Sequence, residues 1–95
     1  MVNYSSNYQI NKIFEALADE TRRDILLRVL AQEMNISQIA IEYDMSMPAI
    51  SKHIKILESA GLVWKVRNGK ERIVKYAGGS LDEASEFLAT FSSRF

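Results

Sequence analysis

Ser46-Met47-Pro48-Ala49-Ile50-Ser51-Lys52-His53-Ile54-Lys55-Ile56-Leu57-Glu58-Ser59-Ala60-Gly61-Leu62 decides how this chain is read. The stretch predicts one short helix with a marked start and stop. Ser46 offers a side-chain oxygen to the unpaired N–H groups of a helix start. Pro48 falls in the first turn, where a missing N–H costs little. Gly61 supplies the residue that ends the helix. Ile50, Ile54 and Leu57 recur at i, i+4 and i+7 and form one apolar stripe. Ser51, Lys52, His53 and Lys55 lie off that stripe. A helix apolar on one side, with hydroxyl, imidazole and ammonium groups on another, has the form of one that lies in a DNA major groove.

Downstream of Gly61 the apolar period changes from 3.6 to 2. Leu62 to Arg67 is rich in strand formers and alternates from Trp64 on. Asn68-Gly69 is a strong two-residue hairpin signal, because both positions tolerate positive φ, and it predicts a return strand over Lys70–Tyr76. Trp64 and Tyr76 are expected as core or cross-strand aromatics. Ala77-Gly78-Gly79 breaks the pattern. Ser80 with Glu83 then predicts a capping box for a last helix carrying Leu81, Ala84, Phe87, Leu88 and Phe91 on one side.

Upstream, Ile10, Ile13, Phe14 and Leu17 mark a first helix over 8–18. Asp19 caps a second over 20–32, with Ile25, Leu26, Val29 and Leu30 as its buried stripe. Asn35 caps a short third helix with Ile36, Ile39, Ala40 and Tyr43 inward, and Asp44-Met45 forms the turn before Ser46. The order is four helices, a hairpin and a fifth helix. With 95 residues, this is expected to be a single domain over 1–95, with a core modest enough for a partner subunit to help.

Formal charge sums to zero, with 12 basic and 12 acidic residues, but it is unevenly distributed. Residues 1–51 hold four basic and seven acidic groups, and residues 76–95 hold one and three. Residues 52–75 hold seven basic groups (Lys52, Lys55, Lys65, Arg67, Lys70, Arg72, Lys75) against Glu58 and Glu71. Confinement of positive charge to one quarter of the chain is the asymmetry expected of a face that meets phosphate. The plainer reading is a pair of lysine-rich solvated elements. The chain has no cysteine, which excludes disulfides, thiolate metal sites and thiol redox sensing. No apolar run is long enough for a membrane span, and the first residues lack the basic start and apolar run of a secretion signal. The expected location is therefore the cytoplasm, associated with the nucleoid. No Ser/His/Asp or Cys/His set and no Gly-rich phosphate loop points to an enzyme.

Phe14-Glu-Ala-Leu-Ala-Asp-Glu-Thr-Arg-Arg-Asp-Ile-Leu27 resembles the opening signature of ArsR-type (arsenical-resistance repressor) regulators. Ser46 to Val63 resembles their recognition helix, and Arg67-Asn-Gly-Lys-Glu-Arg72 the tip of their wing. The resemblance covers residues 10–92. It implies a mainly α fold with a β-hairpin wing, a winged helix-turn-helix that works as a homodimer and represses transcription. It also implies that the first and last helices form the dimer contact. The chain departs from the family's metal-sensing members. It lacks their Cys-x-Cys pair, and its single histidine, His53, is on the recognition helix. Asp82, Glu83 and Glu86 have no nitrogen or sulfur companions and are read as first-turn charges favoured by the helix dipole. No metal and no cofactor is expected. Met47 stands where many members have glutamine, and Asp44 where glycine is common.

The residues expected to meet double-stranded DNA are Ser46, Met47, Ser51, Lys52, His53 and Lys55 on the helix, and Arg67, Asn68, Lys70 and Arg72 on the hairpin. Met47 is open between a thymine methyl and packing on the preceding helix. Arg22 and Arg23 are open between the DNA backbone and internal salt bridges. Ile10, Ile13, Phe14, Leu17, Phe87, Leu88 and Phe91 are expected at the dimer interface, since they place many large apolar groups on terminal helices. The expected function is a homodimeric repressor on an inverted-repeat operator. The alternatives are a winged-helix protein-interaction module and a repressor released by a small molecule.

Overall fold

Capping side chains set the helix boundaries in the computed structural model, which describes residues 4–92. Helix α1 spans Tyr4–Leu17 and α2 Glu20–Ala31, and the Asp19 carboxylate accepts from the Arg22 N–H at 3.0 Å. A two-residue strand β1 (Met34–Asn35) leads into α3 (Ile36–Ile41). There Asn35 Oδ1 accepts from the Gln38 N–H at 2.8 Å, and Gln38 Oε1 accepts from the Asn35 N–H at 2.9 Å. This reciprocal box satisfies two donors that the start of α3 leaves unpaired.

Helix α4 (Met47–Ser59) begins as expected, with Ser46 Oγ accepting from the Ala49 N–H at 3.2 Å. It ends at Gly61, whose φ is +75°. The Leu62 N–H bonds the Leu57 carbonyl at 3.0 Å and the Gly61 N–H bonds the Glu58 carbonyl at 2.9 Å. That pair of bonds is the Schellman closure, and it needs the left-handed residue that glycine adopts without a Cβ penalty. It also aims the chain directly into strand β2 (Val63–Asn68), so the wing is anchored to the end of the recognition helix.

Strand β3 (Glu71–Tyr76) pairs antiparallel with β2 and, on its other edge, with β1, giving the order β1-β3-β2. The register places Asn68 opposite Glu71, so the two-residue loop is Gly69-Lys70, one position later than the sequence suggested. Gly69 has φ +64° and Lys70, like every other non-glycine residue among those described, does not have a positive φ, the sign pattern of a type II′ turn. Each cross-strand partner therefore moves by two residues but keeps its face. Trp64 lies opposite Lys75 and is 58% exposed, so it is a surface residue of the hairpin rather than core. A 3₁₀ turn over Gly78–Leu81 precedes α5 (Asp82–Ser92). The expected Ser80–Glu83 capping box falls on a side chain outside the described residues.

The core joins all the helices to the sheet. Ile13, Ile25, Ile39, Ile50, Ile54, Leu57, Leu62 and Val74 are fully inaccessible. Two expectations are corrected here. Ile13, assigned to the dimer contact, is inside the protomer, where the inward face of α1 meets α2 and α4. Leu30, assigned to the buried stripe of α2, is 56% exposed, so the buried stripe of that helix is Ile25, Leu26 and Val29.

Candidate nucleic-acid interface

The three fully buried isoleucine and leucine side chains of α4, Ile50, Ile54 and Leu57, press one face of the helix onto the core. The opposite face is thereby presented to solvent, with Met47, Ser51, Lys52 and Lys55 exposed. The wing adds Arg67, Asn68, Lys70 and Arg72, all exposed. Alternation along the strands puts Arg67 and Arg72 on the side of the ribbon that carries Val63 and Val74 into the core. They sit directly opposite each other, a like-charge pair that costs stability on an antiparallel ribbon. Between the wing tip and the start of α4 runs a cleft of about 340 Å³, walled by Ser37, Met47, Ser51, Lys70 and Arg72 among others.

Ion pairing sorts the seven cations of this region into two sets. Lys65 pairs with Glu58 at 3.4 Å and Lys75 with Glu33 at 3.6 Å. Lys52, Lys55, Arg67, Lys70 and Arg72 form no ion pair among the described residues. The five left unpaired are the five singled out from sequence, and they lie on the recognition helix and wing.

His53 does not stand with them. Its side chain is 16% exposed and faces the corner between α1 and α2, with Nδ1 3.2 Å from Arg22 Nη1 and 3.9 Å from Asp19 Oδ2. A guanidinium only donates, so in this contact Nδ1 is the acceptor. The position at i+3 from Ile50 turns the ring toward α2 rather than toward the open face, a direction that charge and polarity alone do not reveal. Asp19 is held below the usual carboxylate range by the Arg22 backbone N–H, with the Arg22 charge assisting.

Arg22 and Arg23 are also occupied internally. Arg22 donates to the Ala16 and Glu15 carbonyls at 2.8 and 2.9 Å, and Arg23 donates to the Leu17 carbonyl at 2.8 Å. These are carbonyls that the end of α1 leaves without intrahelical partners, where positive charge also complements the helix dipole. Sequence reasoning missed a further tie. Asn35 Nδ2 donates to Glu71 Oε1 at 3.3 Å, linking the cap of α3 to the wing. No local signal marks it, since the two residues are 36 positions apart.

At the other end of the molecule, Phe14 and Leu17 of α1 and Ala84 and Leu88 of α5 wall an apolar groove of about 510 Å³. Phe87 meets Phe14 edge-on at 5.9 Å and Phe91 at 5.2 Å. Phe87, Leu88 and Phe91 each remain about half exposed, whereas Ile10, Phe14 and Leu17 are partly buried. Among the described residues, no group of three or more His, Cys, Asp or Glu side chains is placed to hold a metal ion. The donor set fits a transition metal poorly, since there is no thiol and the only imidazole is bound to Arg22. No helix among the described residues is long and apolar enough to cross a membrane.

Residues 19–65, from the cap of α2 through the recognition helix to the start of the wing, match the model of the bacterial regulatory protein family arsR. A crystal structure of an ArsR family transcriptional regulator, RHA00566, superposes with a TM-score of 0.86 at 32% identity, covering 98% of this chain and 94% of that one. The chain belongs to the ArsR family of transcriptional regulators. It is 36% identical over 61 residues to the transcriptional repressor SdpR of Bacillus subtilis, covering 64% of this chain and 68% of that protein. The homodimeric winged helix-turn-helix DNA-binding domain of Mb0332 from Mycobacterium bovis is 25% identical, with a TM-score of 0.75 over 99% of this chain and 90% of that one. The mainly helical winged helix-turn-helix architecture expected from sequence is thus the architecture of this ArsR-family chain, and its family and relatives are regulators rather than enzymes.

Proposed function

We propose that this ArsR-family regulator is a homodimeric repressor that binds an inverted-repeat DNA operator, with α4 in the major groove and the β2–β3 wing along the adjoining backbone. One observation carries the reading. Five cations that form no ion pair among the described residues lie on the exposed face of α4 and on the wing, with Lys70 and Arg72 walling a cleft open to solvent beside the start of α4. Lys52, Lys55, Arg67, Lys70 and Arg72 supply affinity by displacing counterions from phosphate, and the exposed first turns of α4 supply sequence choice. Ser46 caps the helix and brings its backbone close to the duplex, and Asn68 shapes the wing tip.

The half-exposed Phe87, Leu88 and Phe91, continuous with Phe14 and Leu17, form the pairing surface between two copies, and Ile10 flanks it. Two-fold pairing through the terminal helices sets the two recognition helices about 34 Å apart, one helical turn of DNA. The names of the relatives support both parts: SdpR is a repressor and the Mb0332 domain a homodimer. The chain acts in the cytoplasm, on the nucleoid, and without a metal cofactor. Its release is set by its own abundance or by another protein.

Selection of bound fragments from genomic DNA tests the reading, followed by affinity titration on the enriched site at several salt concentrations. The expected result is a palindromic site, with log affinity falling steeply and linearly against log salt. A flat salt response, or a chain that sediments as a monomer at all concentrations, overturns it.

A further inference from the structure

We infer that Met47 selects a thymine in each half-site, by packing against the C5-methyl group in the major groove. The inference rests on the DNA-binding reading above and adds the base that it reads. Met47 is the first residue of α4, the end of the helix that opens into the cleft beside the wing. It is 45% exposed and lies outside the core cluster, so packing on the preceding helix does not account for it. Single exposed apolar side chains are ordinary, but this one is at the tip of the surface that meets bases.

Apart from Ile36 at the start of α3, the other residues that wall the cleft with Met47 are polar or charged. Ser51, one turn further along the same face, carries a hydroxyl, and Ser37, Lys70 and Arg72 wall the same cleft. The nearest competing polar group on the helix start, Ser46 Oγ, is taken by the Ala49 N–H. Base choice at this first turn therefore falls to a thioether that donates no hydrogen bond and accepts only weakly. The major-groove edges of adenine, guanine and cytosine present only donors and acceptors, which a methionine would strip of water without replacing. Thymine alone offers an apolar group there, and the unbranched, rotatable methionine side chain reaches it over a range of distances. Ser51, both donor and acceptor, discriminates little at the neighbouring base.

Removing the thymine methyl without disturbing base pairing isolates this contact. Binding sites are first enriched from a random duplex library with the full chain. Each thymine of the enriched site is then replaced, one at a time, by deoxyuridine, and affinity is measured for the wild type and for Met47→Ala. One thymine per half-site is expected to weaken wild-type binding about fourfold when its methyl is removed, the worth of one buried methyl-sized group. Met47→Ala is expected to bind the thymine and deoxyuridine duplexes equally. Met47→Gln is expected to lose the methyl dependence and to acquire sensitivity to 7-deazaadenine, because an amide reads adenine N6 and N7. Wild-type indifference to every deoxyuridine replacement overturns the inference while leaving DNA binding intact, and so does an equal loss in Met47→Ala. A library without any enriched sequence overturns the DNA-binding reading itself, and Met47's role with it.

Discussion

The corner where α2 meets α3 and the tip of the wing are built from the same kinds of residue and use them in opposite ways. At the corner, Arg28 donates to Asp24 at 3.0 Å and to the Tyr43 hydroxyl at 3.2 Å, and approaches Glu42 at 3.5 Å. Tyr43 in turn donates to Asp24 at 2.6 Å, and its ring lies 5.6 Å from the Arg28 guanidinium carbon. Every charge there has a counterpart, and the network ties α2 to the end of α3. At the wing, Arg67 and Arg72 face each other across the ribbon without an acidic partner among the described residues. A fold left to itself gains nothing from that pairing. Arginine contributes to this chain's structure where its fork meets carbonyls and carboxylates inside one protomer, and to its function where that fork is left empty.

Five experiments break or sharpen the contrast, the largest effect first. Ile54→Ala opens a cavity under the recognition helix, where the side chain is wholly inaccessible. It is expected to cost about 2–5 kcal/mol in denaturant unfolding, with base preference unchanged in the molecules that remain folded. Replacing both Arg67 and Arg72 with Ala reverses the pattern. The unfolding midpoint should hold or rise slightly, since a like-charge pair is removed. The slope of log affinity against log salt should fall by about 2 per protomer. Loss of binding to one sequence only, with an unchanged slope, would show these residues reading bases instead of phosphate.

Arg22→Ala lies between those extremes. It takes away the donors to Glu15, Ala16 and His53 at once and is expected to destabilise by about 1–3 kcal/mol. His53→Gln, which keeps an acceptor toward Arg22, should recover most of a loss seen in His53→Ala, whereas a direct DNA role for the imidazole would show as weakened binding at full stability. Tyr43→Phe has the smallest effect, about 1 kcal/mol near neutral pH, and a distinctive pH signature. Burial and the adjacent Asp24 push the Tyr43 hydroxyl up to about 12 from an ordinary value of 10.0. The folded state therefore favours the neutral phenol. The stability linked to it is complete below pH 10 and is lost as pH rises toward about 12. Wild-type protein should shed that contribution across this window and the Phe variant should not. Asp24 is held below its ordinary 3.8 by the Tyr43 and Arg28 hydrogen bonds. Its contribution is present above pH 3.8 and disappears as acid titrates through the lowered value.

The recognition helix was legible because its instructions are local. A cap, a proline in the first turn, an apolar stripe and a terminating glycine all act within one or two turns. The cations of the site were legible as a local excess of charge over residues 52–75, but sequence distance did not sort them. Lys70 and Arg72 flank Glu71 and form no ion pair among the described residues, whereas Lys65 pairs with Glu58 and Lys75 with the distant Glu33. Other features depended on distant partners. Strand β1 is only two residues long and exists because β3 has an open edge for Met34 and Asn35 to join. The hairpin turn moved to Gly69-Lys70 because pairing along the whole ribbon, rather than the Asn-Gly dipeptide, set the register. His53 looked like its lysine neighbours until the end of α1 and Arg22 were placed beside it.

The order of the five helices and the hairpin, most of the inward stripes and the place of the positive charge were determined by the sequence alone, through periodicity and capping that each segment carries within itself. Tertiary structure alone decided which polar groups are used up internally. Whether His53, Arg22 or Arg72 has a partner depends on side chains brought together from far along the chain. Only packing of the helices against the sheet settles those distances.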